Sequence, residues 1–232
     1  MASIPSTALS VRPLTFAHER TLPVHPVLAP VIGSSLIRGQ TVMCTGPASM
    51  SCAMALLVAP TERGSWAAVV AVPSFGVVAA ADMGVVLERT VFVADPRVIG
   101  ADAANVLGAL VDGFDVIVTS ADFMSSLSPS LARRFTTRLQ SRGGVCIVVD
   151  DTRAVSADLR VETTVSAWSG IGDGHGRLCA RRVGVGVDGR RRHGRNPHTP
   201  SRHDVWLPGP TGCLAEVDDT SASPSASLRV VS

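Results

Sequence analysis

The sequence predicts an α/β domain: a mainly parallel sheet flanked by helices, extended at one side by an antiparallel hairpin. Two patterns in the 232 residues predict it, and the bulk composition permits it. Between Thr41 and Val149, short continuous apolar runs alternate with helix-length segments. Strands buried on both faces read as unbroken apolar runs, and such strands belong to parallel sheets covered by helices. After Asp150 the rhythm changes to two partly alternating stretches, Leu159–Trp168 and Leu178–Val187, around the glycine-rich run Ser169–Gly176. That is the pattern of a hairpin. Hydrophobic residues make up 46% of the chain and charged residues 17%, enough for a sizeable core.

The elements follow in order. Residues 1–37 hold Pro5, Pro13, Pro23, Pro26 and Pro30, which argues against long regular elements before about Ala29. Strands are expected at Thr41–Thr45, Ala67–Val72, Thr90–Ala94, Asp115–Thr119 and Val145–Val149. Helices are expected at Ser49–Val58, Val77–Leu87, Ala101–Val111 and Ser130–Arg142. In the last of these, Leu131, Phe135 and Leu139 recur at i, i+4 and i+8 and form the buried stripe. Arg134, Arg138 and Arg142 repeat the spacing on another face, which reads as solvent-facing. The expected organisation is a Pro-rich N-terminal stretch (1–21), a core (22–188) and a largely disordered C-terminal extension (189–232), basic and then Ser/Ala-rich.

Composition excludes several chemistries. All 21 basic residues are arginine. Without lysine there is no Schiff-base catalysis and no lysine for a phosphate-binding loop. The five cysteines (Cys44, Cys52, Cys146, Cys179, Cys213) form no CxxC pair. They read as reduced, mostly buried thiols of a cytosolic protein, and no metal site is expected. His175, His193, His198 and His203 lack an HxxxH or HExxH partner. No G-x-S-x-G occurs. Ser169–Gly176 does not open a helix, so it reads as a hairpin loop and not as a dinucleotide fingerprint. The apolar segment Trp66–Leu87 is interrupted by Pro73 and Gly76, and predicts a strand, a turn and a helix instead of a membrane span. No signal-peptide pattern opens the chain.

The first strand runs into Gly46-Pro47-Ala48-Ser49-Met50-Ser51-Cys52-Ala53 and then a helix. Strand, Gly-led loop and helix N-terminus is where phosphates bind, because free N–H groups and the helix dipole attract anions. The working pattern G-x-x-x-x-G-K-[ST] has lost its last three residues: Ser51, Cys52 and Ala53 stand there. Ser49 and Ser51 retain hydroxyls, but no cation is supplied locally. The strand expected to end in a metal-binding aspartate ends in Thr119 and Ser120, with Asp122 two residues on. Phosphoryl transfer depends on charge neutralisation by lysine and Mg2+, so ATPase activity is not expected. Asp150-Asp151 closes the fifth strand, a common ligand position in open α/β sheets and equally a turn cap.

At these residues the chain resembles a known family. Arg38-Gly-Gln-Thr-Val with Gly46-Pro-Ala-Ser looks like the nucleotide-loop region of the RecA family, and Asp115-Val-Ile-Val falls where that family has its metal-binding strand. The Ser130–Arg142 helix and the Cys146–Asp150 strand continue the match. Gly64-Ser-Trp-Ala-Ala-Val-Val, Gly172-Asp-Gly-His-Gly-Arg-Leu and Val205-Trp-Leu-Pro-Gly resemble the actinobacterial ImuA-type mutasome accessory factors in particular. The resemblance covers about residues 22–210. It implies a RecA-like, P-loop-type core serving as a non-catalytic scaffold in SOS-type, error-prone translesion DNA synthesis. The implied partners are a Y-family polymerase homologue of the ImuB type and an error-prone replicative-type polymerase, in the cytoplasm at the nucleoid. No cofactor is implied, since the ATP motifs are eroded and no acid stands near Pro73-Ser74, where the family's catalytic glutamate is expected. The alternative is a relic homologue that binds nucleotide or single-stranded DNA without efficient hydrolysis.

Between Arg177 and Arg202 there are eight arginines and one acid, Asp188. Arg177, Arg181, Arg182, Arg190, Arg191, Arg192 and Arg195 are the candidates for contact with DNA phosphates or an acidic partner surface. A solvated hairpin end explains them equally well, because no aromatics interleave for base stacking.

Overall fold

The computed structural model describes residues 21–172, 175–189 and 202–217, with no side chains described at 171–177 or 189. Strands β1 (Thr21–Pro23) and β2 (Ser35–Ile37) pair antiparallel. Between them stand a 3-10 turn at Pro26–Leu28 and the single-turn helix α1 (Ala29–Ile32), so the described part of the proline-rich stretch carries only short elements, while residues 1–20 lie outside the described residues.

The α/β units follow: β3 (Thr41–Thr45), α2 (Ser49–Glu62), β4 (Ala67–Val70), α3 (Val77–Met83), β5 (Thr90–Val93), α4 (Pro96–Ile99) and α5 (Ala103–Gly113). Then come β6 (Val116–Ser120), α6 (Ala121–Ser126), α7 (Pro129–Arg142) and β7 (Val145–Val149). All five strands expected between Thr41 and Val149 are present. The Trp66–Leu87 segment is a strand, a turn and a helix, and no helix among the described residues is long and apolar enough to cross a membrane.

Helix ends shift for local reasons. α3 stops at Met83, not Leu87, because Gly84 adopts φ +107 and its N–H closes back on the Ala80 and Ala81 carbonyls. α2 runs on to Glu62, past Pro60, with the Thr61 hydroxyl donating to the Leu57 and Val58 carbonyls. Ser128 caps α7 by accepting from the Leu131 N–H, and Pro129 takes the first helical position.

The hairpin strands are β8 (Leu159–Gly172) and β9 (His175–Gly189). Residues 202–216, which the sequence placed in a largely disordered extension, add β10 (Arg202–Trp206) and β11 (Ala215–Glu216) to the sheet. The remainder of that extension lies outside the described residues. The nine-stranded order is β11-β10-β9-β8-β3-β7-β6-β4-β5. β8, β3, β7, β6, β4 and β5 are mutually parallel; β9 runs antiparallel to both β8 and β10. The chain is therefore a mixed α/β fold with a large, mostly parallel sheet and an antiparallel hairpin.

Side chains alternate between two cores. Val42, Cys44, Val116 and Val118 pack on one face with α2 and the N-terminal elements. Met43, Ile117, Cys146 and Val148 pack on the other with Phe123, Phe135 and Leu139. α2 is buried on nearly every side because it lies between the sheet and the β1–α1 layer, which explains its all-round apolar sequence. In the antiparallel part, Val161, Val183, Val185 and Val205 face this core, while Arg160, Glu162, Arg182 and Arg202 stand exposed or half-buried on the other face. One-sided burial is what made those strands read as alternating.

Candidate functional site

β3 leads through α2 toward the β5 side of the sheet, while β7 leads to β8 on the opposite side of β3. Diverging connections from adjacent strands open a crevice at their C-terminal ends, the usual ligand position in such sheets. Gly46–Ala53 lines this crevice, and two backbones there take positive φ, Gly46 (+90) and Asp150 (+70) after β7; a third, Ala71 (+54), follows β4 farther along the sheet. Non-glycine residues in that region carry strain, which concentrates at functional sites.

The loop is closed from within. The Ala48 N–H donates to the Thr163 hydroxyl at 3.0 Å, and that hydroxyl donates onward to the Thr45 carbonyl at 2.7 Å. Thr163, on β8, is 1% exposed. It lies so near the loop that a Cβ on Gly46 would stand 2.1 Å from its carbonyl oxygen, so only glycine fits. The Ser49 N–H donates to the Gly46 carbonyl. Cys52 and Ala53, which stand where a phosphate loop has its lysine and metal-binding hydroxyl, are wholly buried. One of the loop's amides, that of Ala48, is thus already paired with β8.

The loop's two hydroxyls are also occupied. Ser49 donates to Asp150 Oδ1 at 2.6 Å. Arg181 of β9 donates from Nη2 to Ser51 Oγ at 2.5 Å and from Nε to the Leu207 carbonyl at 2.9 Å. Its guanidinium also stacks 5.3 Å from the Trp168 ring. A register shift between Val165 and Ala167 sets Trp168 opposite Arg181. Burial lowers the Arg181 pKa from its ordinary value. The sequence offered no local cation for the loop; the structure brings one from about 130 residues away, already spent on three neighbours. Pro47, the remaining loop candidate, is exposed.

The expected metal strand points elsewhere. Ser120 caps α6 by accepting from the Phe123 N–H and donates to the Ala71 carbonyl. Thr119 is fully buried with no partner for its hydroxyl among the described residues. Asp122 is exposed and paired with Arg97 at 2.8 Å. The acid beside the loop is instead Asp150, which the sequence singled out only as a strand-end pair with Asp151. Asp151 pairs with Arg160. Among the described residues no group of three or more His, Cys, Asp or Glu could hold a metal ion.

Two buried thiols on the central strands hold their protons more tightly than usual. Cys44 is pushed well above the ordinary thiol range, first by hydrogen bonding with Cys52 and then by burial. Cys146 is pushed up to about 12 by burial alone. Cys179 and Cys213 are exposed, and all five thiols are free.

The arginine candidates separate. Arg181 turns inward, while Arg182 turns outward and pairs with Asp204 at 3.0 Å. Arg177 lies in β9 with its side chain undescribed, and Arg190, Arg191, Arg192 and Arg195 lie outside the described residues. On α7, Arg138 and Arg142 are not free in solvent: both pair with Asp112 of α5. Asp112 is held below the usual carboxylate range chiefly by its hydrogen bond from Arg138.

Comparisons with known proteins place the chain in a family. Residues 29–154, from α1 to just past β7, match the family model described as the MT3502 N-terminal domain. An uncharacterized protein of Mycobacterium tuberculosis, Rv3395c, is 30% identical over 169 residues, covering 70% of this chain and 80% of that protein. The chain belongs to the MT3502 N-terminal domain family.

Proposed function

We propose that this chain is a non-catalytic, RecA-like adaptor that scaffolds polymerase partners in DNA-damage-induced, error-prone translesion synthesis. The observation that carries the non-catalytic part is the closed loop: Thr163 takes the Ala48 N–H, and Cys52 and Ala53 are buried where cation and metal ligand would stand. A fold that retains a central strand, Gly-led loop and helix while pairing the Ala48 amide and the Ser49 and Ser51 hydroxyls within the chain keeps a scaffold without its chemistry. The RecA-like assignment and the polymerase partners rest on the sequence resemblance. The alternative, a relic that still binds nucleotide, would draw on Arg181 as its cation. That guanidinium is already committed to Ser51, Leu207 and Trp168.

The test is affinity recovery of the tagged full chain from DNA-damaged host cells. Recovery of polymerase-type proteins is expected. Recovery of nucleic acid without polymerase would overturn the adaptor reading. Truncation at Gly189 would remove β10 and β11, whose Val205 belongs to the core. The arginine-rich segment is therefore tested by substituting Arg190, Arg191 and Arg192 with serine. Loss of polymerase recovery places the contact there. If nucleic acid is bound through those arginines, its affinity falls steeply with salt.

A further inference from the structure

Beside the closed loop lies a cavity of about 1050 Å3, just above the roughly 300–1,000 Å3 usual for ligand pockets. One wall is α3, with Ala79 and Asp82. The other is the hairpin arm at Leu178 and the turn at Pro208–Gly212. Met54 and Met83 form its floor. The turn closes one end, where Gly212 packs against Asp82 and the Cys213 thiol donates to the Asp82 carbonyl.

Two features set this groove apart from the loop. One of its apolar groups is half uncovered: Leu178 is 48% exposed, while Met54 and Met83 are each 4% exposed. Paired methionines give a floor that adapts to varied side chains. Its charge is also without a counter-ion among the described residues. Of the described residues, Asp82 is the only ionisable acid or base lining it apart from the Cys179 thiol, and Asp82 is exposed with no ion pair. The Arg181 guanidinium is directed to Ser51 and Leu207. A lone carboxylate in an apolar groove disfavours a phosphate and favours a cation.

We infer that this groove docks a segment of a partner protein that carries large apolar side chains and a lysine or arginine facing Asp82. The inference rests on the adaptor reading and supplies it with a contact surface. Apolar side chains fill the floor over Met54 and Met83, and the cation sets register.

The test is selection from a phage-displayed random peptide library against the full chain. Apolar peptides bearing lysine or arginine should enrich. Asp82→Arg should weaken an enriched peptide roughly ten-fold, and exchanging the peptide's cation for glutamate should restore binding to that variant. Leu178→Asp should abolish binding with an unchanged melting temperature, since the side chain is half exposed. The inference is overturned if nothing enriches, or if enriched peptides ignore both substitutions. It is also overturned if Leu178→Asp instead abolishes a concentration-dependent dimer, which would make a second copy the occupant. Calorimetric titration with Mg-ATP runs in parallel. Saturable ATP binding would sink the adaptor reading, whereas the peptide result decides the groove.

Discussion

The Gly46–Ser51 loop and the groove next to it share helix α2, and they are opposites. In the loop, the polar groups most relevant to a phosphate meet partners inside the chain: Ala48 with Thr163, Ser49 with Asp150, Ser51 with Arg181. In the groove, Leu178 stands bare and Asp82 has no counter-ion among the described residues. Internal satisfaction marks a region that stabilises the fold. Unsatisfied apolar and charged groups in a concave surface mark one that meets something else. The part of this molecule that looks like a ligand site by motif is paired within the chain at Ala48, Ser49 and Ser51, and the part without a motif carries the half-exposed Leu178 and the exposed Asp82.

Four experiments break or sharpen that contrast. The largest effect is expected from Gly46→Ala. Its Cβ would collide with the Thr163 carbonyl at 2.1 Å from a backbone at φ +90. A loss of about 3 kcal/mol is expected from strain and overpacking combined, read as a fall in melting temperature. An unchanged melt would mean that the loop is not clamped. Next, Thr163→Val keeps the volume but orphans the Ala48 N–H and the Thr45 carbonyl. It should cost about 1–3 kcal/mol in urea denaturation and should not create ATP binding.

A smaller effect follows alkaline pH. The Cys146 pKa, pushed up to about 12 in the folded chain from an ordinary 9.0, means that the native state holds its proton after the unfolded state has lost it. Stability is therefore fully present below about pH 9 and falls as pH rises toward 12. Cys146→Ala should flatten part of that decline in melts taken across this range, and an identical pH slope would refute the assignment. The smallest effect is Arg138→Ala on the surface of α7. Its pairing with Asp112 is solvent-screened, so the melting temperature should stay within replicate scatter.

The parallel half of the fold was legible in the sequence because strands buried on both faces must be apolar throughout. Val145–Val149 was placed residue for residue for that reason. β10 was missed because one face of Arg202–Trp206 is polar and the strand lies in an arginine-rich tail. The loss of lysine and hydroxyl at Cys52 and Ala53 was equally plain. What closes the loop was not, because Thr163 and Arg181 approach through the sheet from more than 110 residues away. No local pattern encodes that contact; only the hairpin's register beside β3 produces it. The groove left no motif for the same reason, since its walls come from three separate segments.

The central claim is that the loop is closed by its own chain and takes no nucleotide. Calorimetric titration of the full chain with Mg-ATP tests it most directly, with the melting temperature followed over the same concentrations. The account predicts no saturable heat and no rise in melting temperature. Saturable binding accompanied by a concentration-dependent rise would contradict it.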